Sequence, residues 1–146
     1  MREESMPMVN GSSIKLANYS GKVLFVNLWA TWCGPCRAET PELVRLHKEY
    51  GGKGLTMVGL STENPDASAD QVKDFVRTFN VDYQIGWATP NVAMGFMQLT
   101  GRNAIPQSFI IGPDGRVLNR FVGFNPATTP EQLRQAIEAA LSNSAD

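Results

Sequence analysis

The chain has 146 residues and a formal net charge of -1, with 42% hydrophobic and 18% charged residues. That balance fits one globular domain able to bury its own core, and excludes a disordered polyelectrolyte and a membrane-embedded chain. No cluster of Lys or Arg offers a footprint for nucleic acid or an anionic membrane, and no apolar run approaches the roughly 18 residues of a spanning helix.

The opening "MREESMPMVNGSS" is polar and lacks a hydrophobic signal core, so the chain as given is expected neither to anchor nor to export itself. Residues 1–12 are set apart as a polar N-terminal segment, 13–142 as a single domain and 143–146 as a tail. Ser13 to Leu16 carry a short alternating pattern. "KVLFVNLWA" from Lys22 is a continuous apolar run of strand length, the kind buried on both faces of a parallel sheet. From Arg37 to Tyr50, Ala38, Leu43, Leu46 and Tyr50 fall near helical spacing, and Gly51-Gly52 is read as the stop. "LTMVGLS" from Leu55 is a second buried strand, so strand, helix and strand form a βαβ unit.

Ser68 with Gln71 makes a capping-box pattern ahead of Val72, Phe75, Val76 and Phe79, an amphipathic helix. Asn91 is read as the cap of a shorter helix, closed by Gly101, with Val92, Phe96 and Leu99 on one face. "QSFIIGPDGRVLNRFVG" places two β-rich runs around Gly-Pro-Asp-Gly, the composition of a type I turn and an antiparallel hairpin. Thr129-Pro130-Glu131-Gln132 combines an N-cap, Pro at N1 and Gln at N3, opening a last helix with Leu133, Ile137 and Leu141 inward.

The chain's two cysteines, Cys33 and Cys36, lie at the join between the first buried strand and its helix. A thiol at a helix N-terminus sits beside unpaired N–H groups, which favour the thiolate and bring its pKa from about 8.5 towards roughly 3.5–7.5. Cys36, one turn further, can reach back to Cys33, so the pair can form and reopen a disulfide by exchange. Pro35 at the first helical turn costs no hydrogen bond, and Gly34 permits close approach of a partner. Pro41 falls inside the helix and is expected to kink it. A loop of this size adds little as a structural staple. Zinc lacks ligands, since His47, the one histidine, lies well down the helix. A thiolate module handling copper, with Met94 and Met97 as further soft donors, stays open as a non-enzymatic alternative.

"FVNLWATWCGPC", Pro41, "AIPQSFII" and "GPDGRVL" together resemble thioredoxin over nearly the whole domain. The resemblance implies an α/β thioredoxin fold, a central mixed sheet flanked by helices. It also implies that Ile105-Pro106 is the loop whose proline is cis, packed on the disulfide, with the backbone of Ile105 free to pair with substrate. Within that superfamily the chain is similar to the TlpA/ResA (DsbE/CcmG-like) branch of bacterial envelope oxidoreductases. "SSIKLANYSGK" resembles that branch's extra N-terminal hairpin, and Thr62 to Asp70 its insertion after the second βαβ strand. Asn27 stands where thioredoxins carry a buried Asp that moves the resolving cysteine's proton. The resemblance transfers that role to Glu63, which matches an acidic residue the branch keeps near the cysteines.

The implied activity is reduction of protein disulfides, with Cys33 attacking, Cys36 resolving, and Trp32, Gly34, Pro35, Ile105 and Pro106 forming the redox loop and substrate groove. Gly34-Pro35 is thioredoxin's own dipeptide and suggests a reducing poise. No cofactor or metal beyond the Cys33-Cys36 disulfide is expected. The expected partners are disulfide-containing proteins and an upstream thiol donor, a membrane thiol carrier or a thioredoxin system, with no nucleic acid. A monomer in the bacterial cell envelope is expected, with a role in cytochrome c maturation or envelope redox homeostasis; a cytoplasmic thioredoxin-like reductase is the alternative. Trp87, Met94 and Met97 are candidates for a rim beside the site, with core packing expected for at least one of them.

Overall fold

The structure, a computed structural model, describes residues 1–144. A two-stranded hairpin, β1 (Met6–Pro7) and β2 (Ser13–Ile14), leads into β3 (Val23–Trp29) and α1 (Gly34–Tyr50). Then follow β4 (Leu55–Ser61), α2 (Pro65–Phe79), β5 (Gln84–Trp87) and α3 (Pro90–Thr100). The chain closes with β6 (Gln107–Ile111), β7 (Val117–Val122) and α4 (Thr129–Ser144). The main sheet has the order β5-β4-β3-β6-β7; β3, β4 and β5 are parallel, while β6 pairs antiparallel with both β3 and β7. This is the mixed sheet with flanking helices that the thioredoxin resemblance implied.

β3 is central, and every one of its residues is buried, which is why its sequence is an unbroken apolar run rather than an alternating one. Successive side chains point to opposite faces. Phe25 and Trp29 join the layer under α1, α2 and α4, with Leu43, Phe75 and Ile137. Leu24, Val26 and Leu28 join the other layer, with Val92, Phe96 and Phe109 under α3 and the hairpin. Asn27 shares its face with Phe25 and Trp29, so the period of the strand aims this buried amide at α1.

The segment set apart as residues 1–12 is part of the packed fold. Met6 and Met8 are buried beside Leu28 and Leu60, and Met8 bridges to Gly86 in β5. A Cβ at Gly86 would run into the carbonyl oxygen of Pro7 and the thioether of Met8, so the missing side chain lets the hairpin lie on the sheet edge. At the other end, residues 143 and 144 complete α4, and residues 145–146 of the expected tail lie outside the described residues.

Several element ends differ from the sequence reading. α1 ends at Tyr50 with Gly51 as its C-cap, where the stop is read, but Gly51 is right-handed and a short 3-10 turn follows, closed by Gly54, whose φ of 105° is the left-handed geometry glycine allows. α2 begins four residues before the Ser68 box: Asn64 accepts from the Asp66 N–H, and Pro65 takes the first turn. Thr62 to Asp70, read as an insertion after β4, is therefore largely helix, the first part of α2. α3 is capped by Thr89, whose hydroxyl accepts from the Val92 N–H, with Pro90 behind it, rather than by Asn91. Thr129 is already helical and spends its hydroxyl on the Asn125 N–H. Helix α1 runs on through Pro41.

Candidate active site

The chain leaves β3 at Trp29, makes a short turn, and enters α1 with Cys33 as its N-cap. The Sγ of Cys33 accepts the Cys36 N–H at 3.2 Å, so one of the helix's unpaired donors points at the sulfur. Cys33 and Cys36 are joined as a disulfide, with their Cα atoms 5.2 Å apart. Cys33 is 4% exposed and Cys36 2%, whereas Trp32 beside them is 72% exposed, and Gly34 and Pro35 also face solvent. Approach to the disulfide is thus over an open rim onto a nearly covered pair of sulfurs.

Ile105-Pro106 is a cis peptide bond, and the carbonyl oxygen of Ile105 lies 3.9 Å from the Sγ of Cys33. The loop that carries it is held from below by Gln107, which is fully buried. Its Nε2 donates to the carbonyls of Arg102 and Ala104, each at 2.8 Å, and its Oε1 accepts the Thr100 hydroxyl at 2.8 Å. Two of the amide bonds run to the loop and the third to the end of α3, so Gln107 ties the loop that carries Ile105 to the helix before it. The sequence reading missed Gln107; a polar residue opening a buried β-run was its visible signal.

Glu63 is partly buried and faces the turn before Cys33. Its carboxylate accepts the Thr31 N–H at 2.8 Å, the Thr31 hydroxyl at 2.7 Å and the Ser61 hydroxyl at 2.8 Å. Two of those donors belong to Thr31 in the β3–α1 turn and the third to Ser61 at the end of β4, so the carboxylate ties the turn to β4. Arg37 completes the turn from the other side: its guanidinium donates to the Thr31 carbonyl at 3.2 Å and lies over the rings of Phe75 and Phe79.

The acid that shares the interior with Cys36 is Glu39, 1% exposed and one helical turn beyond it on the same face of α1. Asn27 donates from Nδ2 to Glu39 Oε1 at 3.1 Å and to Ser108 Oγ at 3.0 Å. Burial pushes the Glu39 carboxyl up to about 8, opposed by the Asn27 bond. Tyr83 is nearby: burial first, then the charges of Glu39 and Asp82, raise its phenol above the ordinary range. Asn27, which the resemblance sets where thioredoxins carry a buried Asp, therefore has a buried carboxyl of α1 within hydrogen-bond reach of its amide. The signal available was the spacing Cys36, Glu39, Leu43, Leu46, which puts Glu39 on the buried stripe.

The other candidates separate. His47 pairs with Asp82 at 3.0 Å, roughly 16 Å along α1 from Cys36 at 1.5 Å per residue. Trp87 is buried and donates to the Ser68 hydroxyl at 2.8 Å. Met94 and Met97 line a groove with Thr62, Arg102 and Asn103. Among the described residues, no three His, Cys, Asp or Glu side chains gather to hold a metal, and no helix is long and apolar enough to cross a membrane.

A vicinal disulfide-forming pair at a helix N-cap, a cis-proline loop against it and a buried acid one turn below define a thioredoxin-fold thiol-disulfide oxidoreductase. The chain belongs to the Redoxin family, whose model matches residues 3–137. It is 30% identical over 132 residues to the thiol-disulfide oxidoreductase ResA of Bacillus thuringiensis subsp. konkukian, covering 89% of this chain and 70% of that protein. It is also 30% identical over 126 residues to the thiol:disulfide interchange protein HelX of Rhodobacter capsulatus, covering 86% of this chain and 65% of HelX. A crystal structure of a thioredoxin-family thiol:disulfide interchange protein from Chlorobium tepidum superposes with a TM-score of 0.79 at 31% identity, over 94% of this chain and 92% of that one.

Proposed function

We propose that this oxidoreductase works as a reductase of protein disulfides, with Cys33 attacking, Cys36 resolving and Glu39 handling the resolving proton. The observation that carries the reading is the buried Asn27–Glu39 pair one turn below the disulfide. In the reduced protein the Cys33 thiolate attacks one sulfur of the substrate disulfide, forming a mixed disulfide and releasing the first substrate thiolate. Cys36 then gives its proton to the Glu39 carboxylate and attacks the Cys33 sulfur, which releases the second substrate thiolate. The products are a substrate dithiol and the Cys33-Cys36 disulfide; an upstream dithiol donor returns two electrons. A carboxyl titrating near 8 is matched to passing a thiol proton at neutral pH.

The reducing direction is supported by Gly34-Pro35. Action in the bacterial cell envelope, and a part in cytochrome c maturation, follow from the TlpA/ResA resemblance and the ResA and HelX relatives. Reduction of insulin with dithiothreitol as electron source tests the activity. The wild type precipitates the insulin B chain well ahead of the uncatalysed reaction, and Cys33→Ser falls to that background. Equal rates for the two proteins would sink the reading.

A further inference from the structure

Between the loop after β4 and the outer flank of α3 lies an open groove of about 540 Å³ lined by Thr62, Ala93, Met94, Met97, Arg102 and Asn103 among others. We propose that this groove seats an apolar side chain of the protein substrate, two or three residues from the cysteine under attack. The inference rests on the disulfide-reductase reading and adds to it a preference for substrate sequence.

Two lining residues, Thr62 and Asn103, stand close in the chain to the segments that frame the disulfide. Thr62 donates its N–H to the Trp29 carbonyl at 2.9 Å, and its neighbour Glu63 holds Thr31 in the turn before Trp32. Asn103 precedes by two residues Ile105, whose carbonyl stands beside Cys33. A substrate strand lying on the Ile105 edge advances about 3.3 Å per residue, so a side chain two or three positions from its cysteine arrives over the groove. Gln107 strengthens this placement, because it bonds the carbonyls of Arg102 and Ala104 and so makes Arg102 of the groove and the Ile105 edge one rigid piece.

The lining selects the chemistry. Met94 is 57% exposed and Met97 beside it is half-buried, so the two thioethers give the groove an apolar side. Methionine is unbranched and polarizable, so such a surface adapts to apolar groups of different shape. Arg102 supplies the one full charge of the lining, which contains no carboxylate and carries no partner for a basic residue. The occupant is therefore an extended substrate segment with a Leu-like side chain, neutral or acidic rather than basic around it.

The test uses two cysteine peptides, each blocked as a mixed disulfide with thionitrobenzoate. One carries Leu at the second and third positions on either side of the cysteine, and the other carries Ser there. Attack by Cys33 of the reduced, desalted protein on the peptide sulfur joins peptide to enzyme and releases the coloured thionitrobenzoate anion. The wild type is expected to attack the Leu peptide about tenfold faster, as burial of one apolar side chain warrants. In Met94→Ser/Met97→Ser that ratio falls towards one; Met94→Ser alone, at an exposed site, lowers it partway and covers the case in which the double variant fails to fold. Equal wild-type rates would overturn the proposal, as would a full preference surviving in the variants, including the case in which the groove seats a second copy of this chain. A wild type that releases thionitrobenzoate from neither peptide would overturn the reductase reading beneath it.

Discussion

At the scale of single residues, the proposed mechanism divides between two acids the work that the sequence assigned to one. Glu63 organises the turn before Cys33 through Thr31 and Ser61, and Glu39 sits under Cys36 with Asn27. Their difference is environmental: Glu39 is sealed by the apolar face of α1, while Glu63 keeps a half-open position rich in donors. A positioned base contributes roughly 10²–10⁴ in rate, so Glu39→Gln should slow resolution of the mixed disulfide by about 10²-fold near pH 7. Rapid-quench trapping of the mixed disulfide measures that step, and an unchanged lifetime would remove Glu39 from the proton path. Glu63→Gln should leave the pH profile of Cys36 alkylation unmoved, while weakening charge-assisted bonds to Thr31 and lowering stability by about 1.5 kcal/mol in urea unfolding. Cys33, Cys36 and the gap at Asn27 were legible in the sequence because their meaning is local. Glu39 was not, because an acid within a helix usually marks a solvated face, and only the packing of α1 onto β3 reveals otherwise.

Among the elements, what the sequence showed best was hydrophobic pattern, and what it showed least was where helices begin. β3, β4 and the β6–β7 hairpin follow from apolar runs and the Gly-Pro-Asp-Gly turn. For α2 and α3 the competing caps were Ser68 and Asn91, and the winners were Asn64 and Thr89, each directly followed by proline. Proline's fixed φ and missing N–H suit the first helical turn, and this outweighed the capping box. β5 was not foreseen: its four residues are too short for periodicity to speak, and it is held by pairing to β4 and by the hairpin crossing Gly86. Ser68 has a different role, accepting the indole N–H of buried Trp87 while donating to the Asn64 carbonyl. Ser68→Ala should cost about 1–3 kcal/mol by leaving that indole unpaired, against about 1 kcal/mol for Asn64→Ala at the cap. Denaturant midpoints of the two variants decide the order, and the reverse ranking would show that the Trp87 indole does not depend on the Ser68 hydroxyl.

For the whole molecule, the sheet brings distant segments to one point. β3 delivers Asn27 and the turn to Cys33, α1 delivers Cys36 and Glu39, β4 delivers Glu63, and the chain entering β6 delivers the Ile105-Pro106 loop. Placing Glu39 in the interior has a global consequence for stability. Its folded carboxyl titrates near 8 while the unfolded one lies in the ordinary carboxylate range, so between those limits the folded state holds a proton that the unfolded state releases. Stability of the oxidised protein should fall as pH rises from about 5 to about 8 and level off above. Glu39→Gln should flatten that slope in urea titrations at the two pH values, and a slope that persists would assign it to other groups.

The central claim is the division of labour between the two sulfurs, and trapping reads it directly. Reduced Cys36→Ser, mixed with a disulfide-bonded protein such as insulin, should accumulate a covalent complex through Cys33, visible by intact-mass spectrometry and released by dithiothreitol. Cys33→Ser should form none at the same concentrations. A stable complex through Cys36 in Cys33→Ser, with none in Cys36→Ser, would reverse the roles and contradict the account.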